Sequence, residues 1–251
     1  MAIYSPKGGV GKSTFAVNLA YLSANTSRRR TLLWDIDAQG AASYLLDAQR
    51  AREDARKIFS KDVDPAALAS PSVYANFTVL AADPSLRRLD VQLVEEDARK
   101  RLRKIVRTLE KKFERIIVDC PPGLNEVSEQ VFRAVDLVIM PTPPSRLGMR
   151  AMEQAVAHSR AHHRDGPEIL PVFSLVDLRR KLHRDVIAAH PDWPVVPYAS
   201  VIEQMGDRCA PLGVFAPRHT AARAFAEVWA HVEQRLVAIE STQSDLPGPD
   251  L

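Results

Sequence analysis

Lys7-Gly8-Gly9-Val10-Gly11-Lys12-Ser13-Thr14 is the stretch whose residue types and spacing most directly imply chemistry. Gly8, Gly9 and Gly11 free the backbone to curl so that successive N–H groups face one anion, and a helix opening after them adds its positive end. An ammonium at Lys12 then falls beside the β and γ phosphates of a nucleotide, and the Ser13 hydroxyl can ligate Mg²⁺. The spacing predicts a phosphate loop that binds and hydrolyses ATP, with Gly8, Gly9, Val10, Gly11, Lys12, Ser13 and Thr14 around the phosphates. Lys7 has no task in the common form of such a loop, which also places glycine where this chain has Pro6.

Two apolar runs end in acids. Leu32-Leu33-Trp34-Asp35-Ile36-Asp37 carries carboxylates at alternate positions, which a strand would present on one side. They either serve the phosphate site or cap the helix that follows. Arg115-Ile116-Ile117-Val118-Asp119 leads into Cys120-Pro121-Pro122-Gly123, a rigid turn, and Asp119 reads as an acid holding Mg²⁺ through water. Cys120 reads as a small buried neighbour rather than a reactive thiol.

To hold these groups together the chain needs a sheet. Strand-like apolar runs recur at 2–5, 31–36, 78–82, 115–120, 137–141, 169–176 and 194–198, and most are separated by segments of helical period. Phe15, Leu19 and Leu22 line one such face, and Leu102, Ile105, Val106, Leu109 and Phe113 line another. The alternation implies an α/β fold, a mostly parallel twisted sheet with helices on both faces. One domain over 1–240 and a flexible tail over 241–251 are expected, with helical excursions at one sheet edge between Asp47 and Asn76. In the last helix Phe225, Val228, Trp229, Val232, Leu236 and Ile239 share a face, with Glu227, Glu233 and Glu240 opposite, a pattern suited to docking on the sheet rather than on anionic lipid.

With 46% hydrophobic and 26% charged residues in 251, the composition is too apolar for a disordered chain, and no apolar run is long enough to cross a bilayer. Two cysteines, Cys120 and Cys209, are too few for a disulfide framework, and no export leader is evident, so a reducing cytoplasm is expected. A net charge of +3 permits an acidic partner without requiring one. The densest basic run holds Arg99, Lys100, Arg101, Arg103, Lys104, Arg107, Lys111 and Lys112, which form either a solvated face or a surface for DNA or an acidic partner. His158, His162 and His163 have helical spacing but no neighbouring acid or cysteine motif in sequence, and read as a surface helix end rather than a metal site.

The segment from Lys7 to Ser13 resembles the deviant Walker A loop of the ParA/MinD superfamily of ATPases, in which the extra lysine is a signature. Asp35-Ile36-Asp37-Ala38-Gln39-Gly40 is similar to its D-x-D-P-Q-G segment, with Ala38 where proline is usual, and Asp119-Cys120-Pro121-Pro122-Gly123 is similar to its D-x-P-P-G. The resemblance implies that Lys7, Lys12 and Asp37 are catalytic, with Asp37 orienting or deprotonating the attacking water, and that Ser13, Asp35 and Asp119 serve Mg²⁺. It implies a nucleotide-sandwich homodimer in which Lys7 reaches the partner's phosphates, slow basal turnover, and stimulation by a ParB-like or cargo adaptor protein. Pro197 and Tyr198 fall where relatives contact adenine.

Among relatives, the chain lacks cluster-binding cysteines and a tyrosine-rich tail, and no helix-turn-helix extension precedes the loop. It therefore resembles the short forms that bind nucleoid DNA without sequence preference while partitioning a plasmid, chromosome or cytoplasmic cargo. Arg179, Arg180, Lys181 and Arg184 fall where relatives carry a DNA-contacting arginine. A further arginine usual after Pro197 is replaced by Tyr198-Ala199-Ser200, leaving Arg208, Arg218 and Arg223 as substitutes. The alternative is an ATP-dependent assembly or regulatory switch that acts on a protein partner and binds no DNA.

Overall fold

A computed structural model describes residues 1–48, 55–59, 63–93, 100–163 and 166–244. Its strands are β1 (Ala2–Ile3), β2 (Thr31–Asp35), β3 (Ser70–Pro71), β4 (Phe77–Leu80), β5 (Arg115–Asp119), β6 (Leu137–Thr142), β7 (Glu168–Val176) and β8 (Val195–Pro197). They form one sheet in the order β3-β4-β2-β5-β1-β6-β7-β8. Every pairing is parallel except β3 with β4. The expected strands are all present. The unforeseen one is β3, whose two residues are both exposed and include a proline, so neither alternation nor apolar content marks it.

Strand periodicity divides the apolar side chains between two layers. Ile3, Leu33, Ile117 and Ile139 point into a core shared with Phe15 and Leu19 of α1 (Lys12–Asn25) and with Phe225, Val228 and Val232 of the final helix, Thr220–Ser244. Phe15 meets Phe225 edge to face at 4.9 Å. Tyr4, Trp34, Val118 and Met140 point the other way, toward Leu102, Ile105, Val106 and Leu109 of the helix Arg101–Leu109 and toward Val127 and Val131 of the helix Glu126–Phe132.

The final helix docks as its apolar stripe predicts, and its Glu233 and Glu240 both pair with buried Arg115 at the start of β5. It continues past the expected boundary at 240 to Ser244, and the rest of the expected tail, 245–251, lies outside the described residues. Among the described residues no helix is long and apolar enough to cross a membrane. The carboxyl ends of β2, β5 and β1 lie side by side, with Asp35 opposite Asp119 and Ile3 opposite Asp119, which brings the three motifs to one edge.

Candidate functional site

Beyond β1 the chain stays buried through Ser5 and then loops to α1. Gly9 (φ 72°) and Gly11 (φ 95°) adopt left-handed backbone that a side chain would strain, and Gly11 also caps α1, its carbonyl accepting from Phe15 N at 2.9 Å. Lys12 opens the helix and is 7% exposed. Its Nζ donates to the Lys7 carbonyl at 3.3 Å, so the ammonium spans the loop from inside. A buried ammonium over a ring of glycine amides is a site built for an anion. Val10 is buried, anchoring the loop and offering only its backbone.

Asp35 and Asp119 are adjacent in register and fully buried. Asp35 is occupied: Oδ2 accepts from Ser43 Oγ at 2.7 Å and Ser43 N at 2.9 Å, and Oδ1 accepts from Asp37 N at 3.1 Å. Ser43, in the short helix Ala41–Leu45, also accepts from Ala82 N at 3.0 Å, tying the end of β2 to the segment after β4. This alters the expectation that Asp35 and Asp37 alternate along one strand. The strand ends at Asp35, whose carboxylate captures the Asp37 amide and turns the chain. Asp37 thus stands in a loop, half-exposed, with Oδ1 accepting from Gln39 N at 3.0 Å.

Asp119 is the opposite case. Neither of its oxygens has an aligned hydrogen-bond partner among the described residues, although the Ser13 hydroxyl lies close enough to favour its ionised form. Burial raises the Asp119 carboxyl well above the carboxylate range, the Asp35 charge adds to the rise, and Ser13 and Lys12 oppose it. Burial likewise pushes Asp35 up to about 6, against the hydrogen bonds from Ser43 and Asp37. Because the Ser43 hydroxyl both donates to Asp35 and accepts from Ala82 N, Ser43→Ala should cost about 1–3 kcal/mol of stability. A urea midpoint unchanged from wild type would show that this latch contributes nothing.

A cavity of about 930 Å³ opens over the loop. Gly8, Gly9, Gly11, Lys12, Ser13 and Thr14 form one wall, and Asp37, Gln39 and Pro122 face them. The Lys7 side chain, half-exposed, is outside that lining, as are Pro197 and Tyr198. Tyr198 donates its hydroxyl to Glu203 at 2.9 Å instead.

The basic residues marked in the sequence divide by partner. Arg179 grips Asp177 with two bonds of 2.9 and 3.0 Å, Arg184 donates to the carbonyls of Leu178 and Arg179, and Lys181 pairs with Asp185 at 3.6 Å. Arg208 lies over the Phe215 ring at 5.0 Å. Arg180 and Arg218 are exposed, without an ionic partner among the described residues. Two participants were absent from the sequence reading. Ser43 has no motif of its own, and Glu129 gathers His158 and His163, the latter at 3.0 Å, from a separate helix.

A family described as AAA domain matches residues 1–165. The chromosome partitioning protein ParA of Myxococcus xanthus is 34% identical over 61% of this chain and 55% of its own length. The sporulation initiation inhibitor protein Soj of Bacillus subtilis is 31% identical over 61% of this chain and 62% of its own. The matches therefore span little more than half of these curated relatives. The septum site-determining protein MinD of Pyrococcus horikoshii, solved with Mg-ADP, superposes with a TM-score of 0.76 over 95% of this chain and 97% of that one; at 20% identity this likeness speaks to fold alone.

Proposed function

Because this chain belongs to the AAA-domain family and, within it, to the ParA/MinD superfamily of P-loop ATPases, we propose that it converts ATP and water to ADP and phosphate to drive partitioning or positioning of a cargo. The observation that carries the reading is the buried carboxylate of Asp119, which has no aligned hydrogen-bond partner among the described residues and stands beside Ser13 and Lys12. Such a group in a fold is costly unless a cation completes it. Ser13 and Asp119 fit Mg²⁺, a hard ion that takes oxygen ligands and keeps several waters, and when bound it would offset charge on the β and γ phosphates.

The chain's own residues do the rest. Lys12 and the loop amides hold the phosphates, supplying the preorganised charge on which phosphoryl transfer mainly depends. Asp37 orients the attacking water or accepts its proton. Asp35 acts through Asp37, since its oxygens hold the Asp37 amide and Ser43. Lys7 serves the phosphates of a second copy, so that ATP is both substrate and dimerisation ligand. Pro197 and Tyr198 are assigned to the adenine side of the site.

The dimer binds nucleoid DNA through Arg180 and Arg218, supported by Arg179, Lys181, Arg184 and Arg208, and a ParB-like or cargo adaptor stimulates hydrolysis. The protein is cytoplasmic, nucleoid-associated with ATP, and uses no membrane. A second reading, a switch that acts on a protein partner without DNA, draws support from Arg179 and Arg184 being engaged within the chain and from Tyr198 where relatives carry arginine. ATP-dependent retention on duplex DNA separates the two. Arg180→Glu should weaken it at least about 10-fold at low salt, with the difference from wild type shrinking as salt rises. Wild-type protein that hydrolyses ATP yet never binds DNA with it would favour the switch.

A further inference from the structure

The geometry points to the exposed face of the helix Arg101–Leu109, here α4 (α2 being Ala41–Leu45 and α3 Leu89–Leu93), as a contact for the phosphate backbone of duplex DNA that works without nucleotide. Burial of Leu102, Ile105, Val106 and Leu109 fixes which side faces out. That side presents Lys100, Arg103, Lys104 and Arg107, continued by Lys111 just beyond the helix, all exposed. None has an ionic partner among the described residues, whereas Lys112 pairs with Asp64 at 3.1 Å. Arg99, part of the same run in sequence, lies outside the described residues.

The fold gains nothing from this arrangement. Lys100 occupies the N-cap without a side-chain cap, and no acid stands in the first turn, so cations crowd the positive end of the helix dipole. Lys100 with Lys104, and Arg103 with Arg107, are like charges four residues apart, which repel. An ordinary solvated helix face mixes signs; this one keeps long flexible cations on successive turns, about 6 Å apart along the axis, and its exposed acid among the described residues is Glu110 at the C-terminal end. Duplex DNA presents a regular, sequence-independent line of charge, one per about 1.7 Å of its axis, which such a row can meet without side-chain order. An acidic protein surface offers no comparable repeat along a single line.

The row is also ready in a single, nucleotide-free chain. Its helix packs on short 3-10 turns at Ala55–Phe59 and Pro65–Ala67 and on the helix Glu126–Phe132. None of its residues lines the phosphate cavity. Arg180, by contrast, follows β7, across the sheet order from β2 and β5. The inference therefore goes beyond the ATP-dependent contact proposed above and stands or falls separately.

The test is fluorescence anisotropy of a labelled duplex titrated with the full, nucleotide-free chain across about 50 to 200 mM salt. Wild type should bind with an affinity that falls steeply with salt. Arg103→Gln/Arg107→Gln/Lys111→Gln should bind at least 10-fold more weakly at low salt, with a log–log slope shallower by about 2.7 for three lost phosphate contacts. Arg103→Lys/Arg107→Lys should retain binding, which guards against a folding artefact, and Arg180→Glu should lose only the increment added by ATP. No binding by nucleotide-free wild type, or an unchanged slope in the triple variant, would overturn the inference. So would capture of polyglutamate in place of the duplex, which would make the surface one for acidic protein.

Discussion

Lys7→Ala should abolish ATP-dependent association and lower turnover by about 10³-fold, at the lower end of what a charge delivered in trans contributes to phosphoryl transfer, while ATP still binds within a few-fold of wild type. The expectation comes from how the lysine is placed. What the loop uses of Lys7 within its own chain is the carbonyl, which accepts from Lys12 Nζ, and alanine keeps that carbonyl. The Lys7 side chain is half-exposed, stands outside the phosphate cavity and has no ionic partner among the described residues. Its charge is thus available to a neighbour and of little use at home. Scattering with a non-hydrolysable analogue reads the association, and calorimetry reads the affinity. Asp37→Ala supplies the contrast: its association should persist while turnover falls by about 10²–10⁴, the range of a lost general base. A Lys7→Ala protein that hydrolysed ATP at the normal rate would remove the sandwich dimer from the account.

What could be read beforehand was whatever depends on neighbours in sequence. Central strands of a parallel sheet are buried on both faces, so β2, β5 and β6 appear as unbroken apolar runs, and glycines at fixed offsets announce a loop with left-handed backbone. What could not be read were partnerships made by folding. Ser43 reaches Asp35 across a turn, and Glu129 meets two histidines about thirty residues further along, at separations of 8 and 29 residues for Asp35–Ser43 and Glu129–His158. The same limit applies to charge. In sequence Arg179 and Arg180 are equivalent, yet one is clamped to Asp177 and the other makes no ion pair among the described residues, because Asp177 turns its carboxylate back on the residue two positions on. Which cations remain for a partner is therefore decided by the turn, not by the basic run that contains them.

The buried acids carry the second large effect. A carboxyl whose folded pKa is raised contributes stability that is fully present below its unfolded pKa and is lost as pH rises through the folded value. For Asp35 the window runs from the unfolded value of 3.8 to about 6. One pKa unit corresponds to about 1.4 kcal/mol, so Asp35 alone accounts for about 3 kcal/mol across it. Asp119, shifted in the same direction by burial and by the charge of Asp35, extends the loss to higher pH. Nucleotide-free protein should accordingly melt at higher temperature near pH 5 than near pH 8. Asp119→Asn removes one of the two charges and should raise the nucleotide-free melting temperature at pH 8, at about 2–4 °C per kcal/mol for a chain of this size, with no gain at pH 4, where the native acid is already neutral. The same substitution should eliminate ATP turnover and the stabilisation that Mg-ATP gives wild type, because an amide replaces the oxygen pair that the cation would complete. If Asp119→Asn lowered the nucleotide-free melting temperature at pH 8, the carboxylate would be satisfied in the resting protein, and its assignment to Mg²⁺ would lose its physical basis.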